Sequence, residues 1–196
     1  SLVKNINSGS ASSSPSSLTD VNGTLFFSAN DGTNGTELWK SDGTSGGTVL
    51  VKDVYSGSTG SSPANLTNVS GTLYFTADDG VSGSELWKSD GTSGGTVMVK
   101  DIASGSESSS PSSLVNFHDT LFFAACDGIY GKELWTSTGT AQGTARISDI
   151  YPGAGSSTPD LLVPAGNTLF FRADDGSIGR ELWKLTMPDP ITDTAV

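Results

Sequence analysis

The chain has 196 residues, and its 21 acidic residues outnumber its 10 basic residues, which gives a formal net charge of −11. So few basic residues argue against nucleic acid as a partner and disfavour anionic membrane surfaces, because both are bound through Lys and Arg. No apolar run approaches the roughly 20 residues of a membrane span, so membrane insertion is not expected.

One unit of 48 residues is repeated four times along almost the whole chain. Tryptophan marks the unit most clearly, at Trp39, Trp87, Trp135 and Trp183, and a proline and an Asp-Gly pair recur at the same spacing. A period of this length is typical of propeller blades and stacked arrays. We therefore predict a single domain over residues 1–196, in which the tryptophans pack between neighbouring units.

The first complete unit contains four short apolar-rich runs, at residues 17–21, 24–29, 37–40 and 48–54. Asn22-Gly23 separates the first two runs, and this pair favours a two-residue hairpin because both residues accept positive φ. Glycine-bearing turns separate the other runs, and no stretch has the period of a helix. Each unit is therefore predicted to be a four-stranded antiparallel meander.

A longer connection rich in Ser and Gly, residues 55–65 in the first unit, joins one unit to the next. Such a link is what a propeller needs to cross from the outer strand of one blade to the inner strand of the next. The fold class predicted from these features is all-β, a four-bladed β-propeller with four-stranded antiparallel blades.

The two ends of the chain predict how the ring closes. Residues 2–6 correspond to residues 50–54, the fourth strand of a unit, whereas the last unit stops after residues 181–184. Prolines in the tail, residues 185–196, disfavour a central strand there. The N-terminal strand, residues 1–7, is therefore expected to complete the last blade. A segment cut from a longer array and a pair of chains forming an eight-bladed ring are the alternatives.

Residues 37–44 and 85–92 both read ELWKSDGT. With the Asp-Asp-Gly element upstream and the Gly-Thr-x-x-Val-Lys-Asp element downstream, this motif resembles the ELWxxDGT repeat family of secreted or surface-associated bacterial proteins. The resemblance covers essentially the whole chain. It implies an extracellular or cell-surface location and a β-propeller-like array, but no defined common activity. The third copy departs from the motif at Thr136 and Thr138, so a function that requires all four Asp-Gly-Thr turns is not expected.

Polar residues that recur in every unit are the candidates for ligand binding. An Asp before a glycine commonly accepts hydrogen bonds from its own turn, a role that needs no ligand. These turns are also expected on the same face as the long connections, where carboxylates and backbone groups would form four shallow clefts suited to hydroxyl-rich ligands. The candidate ligand-binding residues are the turn aspartates Asp31, Asp79, Asp127 and Asp175, together with two tyrosines that do not recur in every unit, Tyr55 and Tyr151.

Enzymatic activity is not predicted, because the chain has one histidine, His118, and no nucleophile elbow or zinc-ligand motif. No cofactor is predicted either. Calcium at the turns is the weaker alternative, since no D-x-D-x-D-G loop is present. The repeated glutamates are expected to form cross-strand pairs with lysine. They are Glu37, Glu85, Glu133 and Glu181.

These features favour a non-catalytic, extracellular recognition module that binds cell-surface or matrix glycans through repeated weak sites, as a monomer or small homo-oligomer. The alternative is a structural spacer or a self-associating surface or matrix unit, in which the repeated residues only build turns. Because the sequence begins at Ser1 with no signal peptide, a mature form or an excised segment is expected.

Overall fold

A computed structural model describes residues 1–187, which contain four antiparallel β-sheets and no helix. The first sheet comprises β1 (Ser16–Val21), β2 (Thr24–Asn30), β3 (Thr36–Ser41) and β4 (Val49–Lys52). The second comprises β5 (Ala64–Val69), β6 (Thr72–Asp78), β7 (Ser84–Ser89) and β8 (Val97–Lys100). The third comprises β9 (Ser112–Phe117), β10 (Thr120–Cys126), β11 (Lys132–Ser137) and β12 (Thr144–Arg146). The fourth comprises β13 (Asp160–Ala165), β14 (Thr168–Asp174) and β15 (Arg180–Thr186).

Strand order follows chain order in every sheet, so each unit is a meander and the predicted all-β class is confirmed. The first hairpin uses the turn that the sequence predicts. Asn22 and Gly23 have φ values of 53° and 82°, the left-handed backbone that Asn and Gly tolerate best. Each first strand also contains a register irregularity, which in β1 lies between Ser16 and Thr19.

The sheets stack in chain order with their first strands side by side, so that β1 lies beside β5, β5 beside β9, and β9 beside β13. Leu38 and Trp87 belong to the apolar core that includes residues of the first two sheets, and Leu86 and Trp135 hold the same positions in the next core. Trp39, Trp87 and Trp135 are only 5–6% exposed. These three tryptophans therefore serve core packing, as predicted.

The ends of the chain differ from the prediction. Residues 1–15 contain no strand, and Lys4 Nζ donates a hydrogen bond to the Thr48 carbonyl at 2.7 Å, which ties this segment to the first sheet. Within the described residues the fourth sheet has three strands, and β15 extends past Lys184 to Thr186. The expected closing pair between the N-terminal strand and the last blade is not observed. The rest of the predicted tail, residues 188–196 with its two prolines, lies outside the described residues.

Candidate functional site

The four candidate aspartates all lie in the turn between the second and third strands of their unit. Each accepts two hydrogen bonds on Oδ1, at 2.7–3.0 Å, from the backbone N–H groups two and three positions later. The second oxygen of Asp31 also accepts the Asn34 side-chain amide at 2.8 Å. Asp31, Asp79, Asp127 and Asp175 therefore act first on their own turns, as Asx residues commonly do.

In three of the turns these hydrogen bonds favour the ionised form of the carboxylate. Burial raises the pKa of Asp31 and of Asp79, but the N–H groups of their own turns outweigh it and hold both pKa values below the ordinary range. At Asp175 the backbone N–H groups of Ile178 and Ser177 lower the pKa in the same way. A carboxylate that accepts several N–H groups is more stable in its charged form. The turns of Asp31, Asp79 and Asp175 therefore each hold a negative charge at neutral pH.

The two candidate tyrosines lie against the glycine of the next Asp-Gly turn. A Cβ added at Gly80 would lie 2.6 Å from Tyr55 Cζ, and one added at Gly176 would lie 2.6 Å from Tyr151 Cζ. Both rings are half-buried. The structure thus brings Tyr55 to the Asp79 turn and Tyr151 to the Asp175 turn.

The remaining two turns have no tyrosine in this place. Asn7 takes the corresponding position beside the Asp31 turn, where its Oδ1 would lie 2.7 Å from a Cβ added at Gly32. At the Asp127 turn the corresponding residue is Ala103, and nothing lies within 4 Å of a Cβ added at Gly128. The sequence predicts four similar clefts formed by carboxylates and backbone groups, and in the structure two of these turns also have a tyrosine against their glycine.

The cavities described on the surface lie elsewhere. One of about 330 Å³ is bounded by residues 1–4 and the apolar side chains of Leu18 and Phe27. Another of about 180 Å³ lies between the first two sheets near Asn22, and one of about 330 Å³ lies beside Lys88. None of the three is lined by a candidate aspartate or tyrosine.

The most extensively bonded carboxylate groups are glutamates that the sequence analysis assigned to another role. Glu85 is 0% exposed. Its Oε1 accepts the backbone N–H groups of Ser109 at 3.0 Å and Ala103 at 3.3 Å. Its Oε2 accepts the backbone N–H group of Ile102 at 3.0 Å and the Ser109 hydroxyl at 2.6 Å. Because these donors belong to the connection leading to the third sheet, Glu85 joins one unit to the next.

The same arrangement occurs at the two other junctions between sheets. Glu37 accepts the backbone N–H group and the hydroxyl of Ser61 at 2.7 and 2.5 Å. Glu133 accepts those of Ser157 at 3.0 and 2.6 Å. Both glutamates are 0% exposed. We call these three contacts, Glu37 with Ser61, Glu85 with Ser109 and Glu133 with Ser157, the Glu–Ser junctions.

Burial of a carboxylate is costly unless hydrogen-bond donors surround it. Desolvation raises the pKa of Glu37 and of Glu85, and the hydrogen bonds from Ser61 and Ser109 oppose that rise without cancelling it. The donors in turn depend on the carboxylate, since a buried N–H group without an acceptor costs free energy. Each junction is therefore stable only when both the glutamate carboxyl group and its hydrogen-bond donors are present.

The predicted pairing of these glutamates with lysine is wrong. Lys40 Nζ donates instead to the Gly91 carbonyl of the second sheet, and Lys88 Nζ donates to the Gly139 carbonyl of the third, both at 2.8 Å. Within residues 1–187, no ion pair joins a lysine to a buried glutamate. The lysines thus form a second set of contacts between neighbouring units.

A regular spacing in the sequence could have revealed the Glu–Ser junctions. In each case the serine lies 24 residues after the glutamate and two residues before the repeated proline. The connections are rich in serine throughout, so one functional serine does not stand out from its neighbours. The structure is needed to identify it.

The described residues contain neither a cluster of metal ligands nor a membrane-spanning helix. No group of three or more His, Cys, Asp or Glu side chains there is placed to hold a metal ion. A calcium site at the turns thus gains no support from these residues. No helix of the described residues is long and apolar enough to cross a membrane.

Comparison with known proteins adds no further constraint. The sequence matches no model of a protein family, and it matches no curated protein.

Proposed function

We propose that the chain is a non-catalytic structural module of an extracellular or surface-attached protein, built for rigid stacking of its repeats. The observation that carries this proposal is the Glu–Ser junction, which recurs at all three boundaries between sheets with the same donor groups. A buried carboxyl group that accepts the same serine donors at every boundary fixes the relative position of neighbouring units. The extracellular location follows from the resemblance to the ELWxxDGT repeats.

We further propose that the four sheets are blades of a propeller-like array. Adjacent first strands along one edge are what radial packing of blades produces. In a four-bladed ring closed by the chain itself, residues 2–6 would pair beside β15 and Lys4 would keep its contact with Thr48, just as Lys52 of β4 contacts Thr96 of the next unit. An array extended by further units is the alternative.

The arrangement of the candidate ligand residues also supports a structural role. One oxygen of each aspartate is occupied by its own turn, and the described cavities lie away from all six candidates. Their repetition is therefore explained by turn formation, because the same turn occurs once in every unit.

Glycan binding is the second candidate, and one observation favours it. Tyr55 and Tyr151 each place an aromatic ring against the glycine that follows Asp79 or Asp175 in its turn, at a partly open surface. An aromatic face with a hydrogen-bond acceptor beside it suits a sugar. This arrangement provides two sites rather than four, so any gain from multivalency would come from a pair.

A glycan array separates the two candidates. The wild-type chain would be screened with calcium and again with a chelator, beside a Tyr55→Ala/Tyr151→Ala variant and an Asp79→Ala/Asp175→Ala variant. The structural proposal predicts no selective capture by the folded wild-type chain in either condition. Selective capture that both variants lose would overturn the structural proposal in favour of a lectin, and loss with chelator would further assign calcium to the turns.

The same variants test the structural role directly through their stability. Asp79→Ala/Asp175→Ala should lower the free energy of unfolding, because each substitution removes the acceptor for two backbone N–H groups. Unchanged stability would contradict the assignment of these residues to the turns.

A further inference from the structure

We propose that a second copy of this chain docks onto the fourth sheet, forming between chains the same Glu–Ser junction that joins the sheets within one chain. This inference rests on the structural function proposed above, and it identifies the partner of the fourth sheet as a second copy of the chain. In it, Glu181 of one chain binds the segment around Ser13 of the next.

The fourth sheet presents one half of a junction without its partner. Glu181 corresponds to the three buried glutamates, but it is exposed. Leu182 is 75% exposed, whereas its counterparts Leu38 and Leu86 are 0% exposed. The difference arises because each of the first three sheets is covered by the following sheet. Within the described residues, nothing covers the fourth sheet in this way.

The segment before the first sheet presents the other half, already in its bonding conformation. The Ser13 carbonyl accepts the Asn30 N–H group at 2.9 Å, as the Ser61 carbonyl accepts the Asp78 N–H group at 3.0 Å. Ser14 has a φ of 45°, close to the 52° of Ser62, its equivalent. The segment before the first sheet therefore takes the path of an internal connection, although residues 1–12 contain no glutamate.

The hydrogen bond of Lys4 also matches its equivalent in an internal unit, that of Lys52. Lys4 Nζ donates to the Thr48 carbonyl at 2.7 Å, and Lys52 Nζ donates to the Thr96 carbonyl at 2.8 Å. Lys52 belongs to β4, which pairs with β3. Residues 2–4 correspond to the last three residues of β4, so a docking chain would also supply the fourth strand beside β15.

Side chains around Ser13 are more exposed than their equivalents in the internal units, which indicates where a partner would lie. Ser13 is half-buried, whereas Ser61 and Ser109 are 0–1% exposed. Leu18 of β1 is 62% exposed, and its equivalent Leu66 is packed against the core of the first junction. The cavity of about 330 Å³ that is bounded by residues 1–4 lies at this same end, and Leu2, Leu18 and Ser13 are among the residues that line it. A fourth sheet from another chain would bury these groups.

The two halves lie at opposite ends of the array, so the contact is head-to-tail. A heterologous contact of this kind adds chains until the rotation closes a ring, and otherwise extends as a filament. The wild-type chain should therefore gain mass as its concentration rises. A variant that lacks either half should stop at the monomer.

Sedimentation velocity over a range of concentrations tests this with two complementary variants. Glu181→Ala removes the acceptor and keeps the Ser13 end, while Ser13→Ala removes the hydroxyl donor and keeps the Glu181 end. Each variant alone should remain at or shift strongly towards the monomer mass of 20.0 kDa. An equimolar mixture should regain one intact junction and form dimers of twice that mass, but nothing larger. Glu107→Ala, an exposed acid outside the junctions, is the matched control and should assemble like the wild type.

Two results would overturn the proposal. One is a wild-type chain that stays monomeric at every concentration. If Glu181→Ala then also has a lower thermal midpoint than the wild type, one chain closes on itself. The other is assembly of Glu181→Ala that equals that of the wild type. Circular dichroism and thermal midpoints would verify that both variants fold. The structural function is overturned by selective capture on the glycan array, whereas docking of a second copy is overturned by these sedimentation results. The two failures can therefore be distinguished.

Discussion

Replacing Glu85 with alanine should strongly lower the free energy of unfolding, although the sequence alone does not show that this glutamate is buried. The side chain is 0% exposed and accepts hydrogen bonds from three backbone N–H groups and one hydroxyl group. Alanine has no acceptor to offer them, and the closed junction leaves little room for water. The second and third sheets would then lose the polar contact that fixes their relative position.

The magnitude follows from the number of donors left without an acceptor. The Ser109 hydroxyl can turn towards the Ser84 carbonyl, 3.5 Å away, so the three N–H groups are the main loss. At about 1–3 kcal/mol for each buried donor without a partner, the gross cost is roughly 3–9 kcal/mol. Removal of a desolvated carboxylate returns part of this cost, so we expect a net loss of about 3–5 kcal/mol.

Urea denaturation followed by tryptophan fluorescence measures this loss. Glu181→Ala is the matched control, because it makes the same change at the same position of the repeat where the side chain is exposed. Measured at a concentration low enough to keep the chain monomeric, it should change the free energy of unfolding by less than about 0.5 kcal/mol. A loss below about 1 kcal/mol for Glu85→Ala, or equal losses for both variants, would refute the assignment of the stability to the junction.

Three further predictions concern the turns and the effect of pH. Asp79→Ala should lower the free energy of unfolding by about 0.5–2 kcal/mol in chemical denaturation, because it removes a local cap, and no change would contradict that role. Gly83→Ala should cost about 1–3 kcal/mol, since its φ is +67° and the added Cβ would lie 2.6 Å from a backbone oxygen of the next connection. Gly94→Ala, in open space, should be nearly neutral in the same assay. Burial raises the pKa of Glu37 and Glu85 above 4.5, so their contribution to stability is fully present below that pH and is lost as pH rises through the folded pKa. The stability of the wild type relative to Glu85→Gln should therefore increase as pH falls from about 7 towards 5, and the opposite slope would contradict the pKa direction.

The strands and turns could be predicted from the sequence because their causes are local. Asn22-Gly23 favours a hairpin through its own backbone preferences, and the short apolar-rich runs between turns form the strands of each unit. The tryptophan positions also indicate a packed core, since a large aromatic side chain repeated in every unit needs a neighbour to bury it. These features establish the all-β class, the meander within each unit and the number of units.

The candidate ligand residues were only partly predictable. The sequence places Asp79 in a turn and Tyr55 in a connection, but whether they meet depends on how two sheets pack. In the structure Tyr55 lies against Gly80, which follows Asp79, and Tyr151 lies against Gly176, which follows Asp175. The occupancy of each Asp Oδ1 by its own turn also depends on the folded backbone.

The sequence by itself determined the repeating unit, its strands and its turns, which depend on residues close together along the chain. Only the tertiary structure showed that Glu85 is buried against Ser109, because these residues lie 24 positions apart and meet through the packing of two sheets. It alone also showed Glu181 exposed while its three counterparts are buried. The same glutamate in the same motif is buried or exposed because its surroundings depend on whether another sheet packs over it in the described residues.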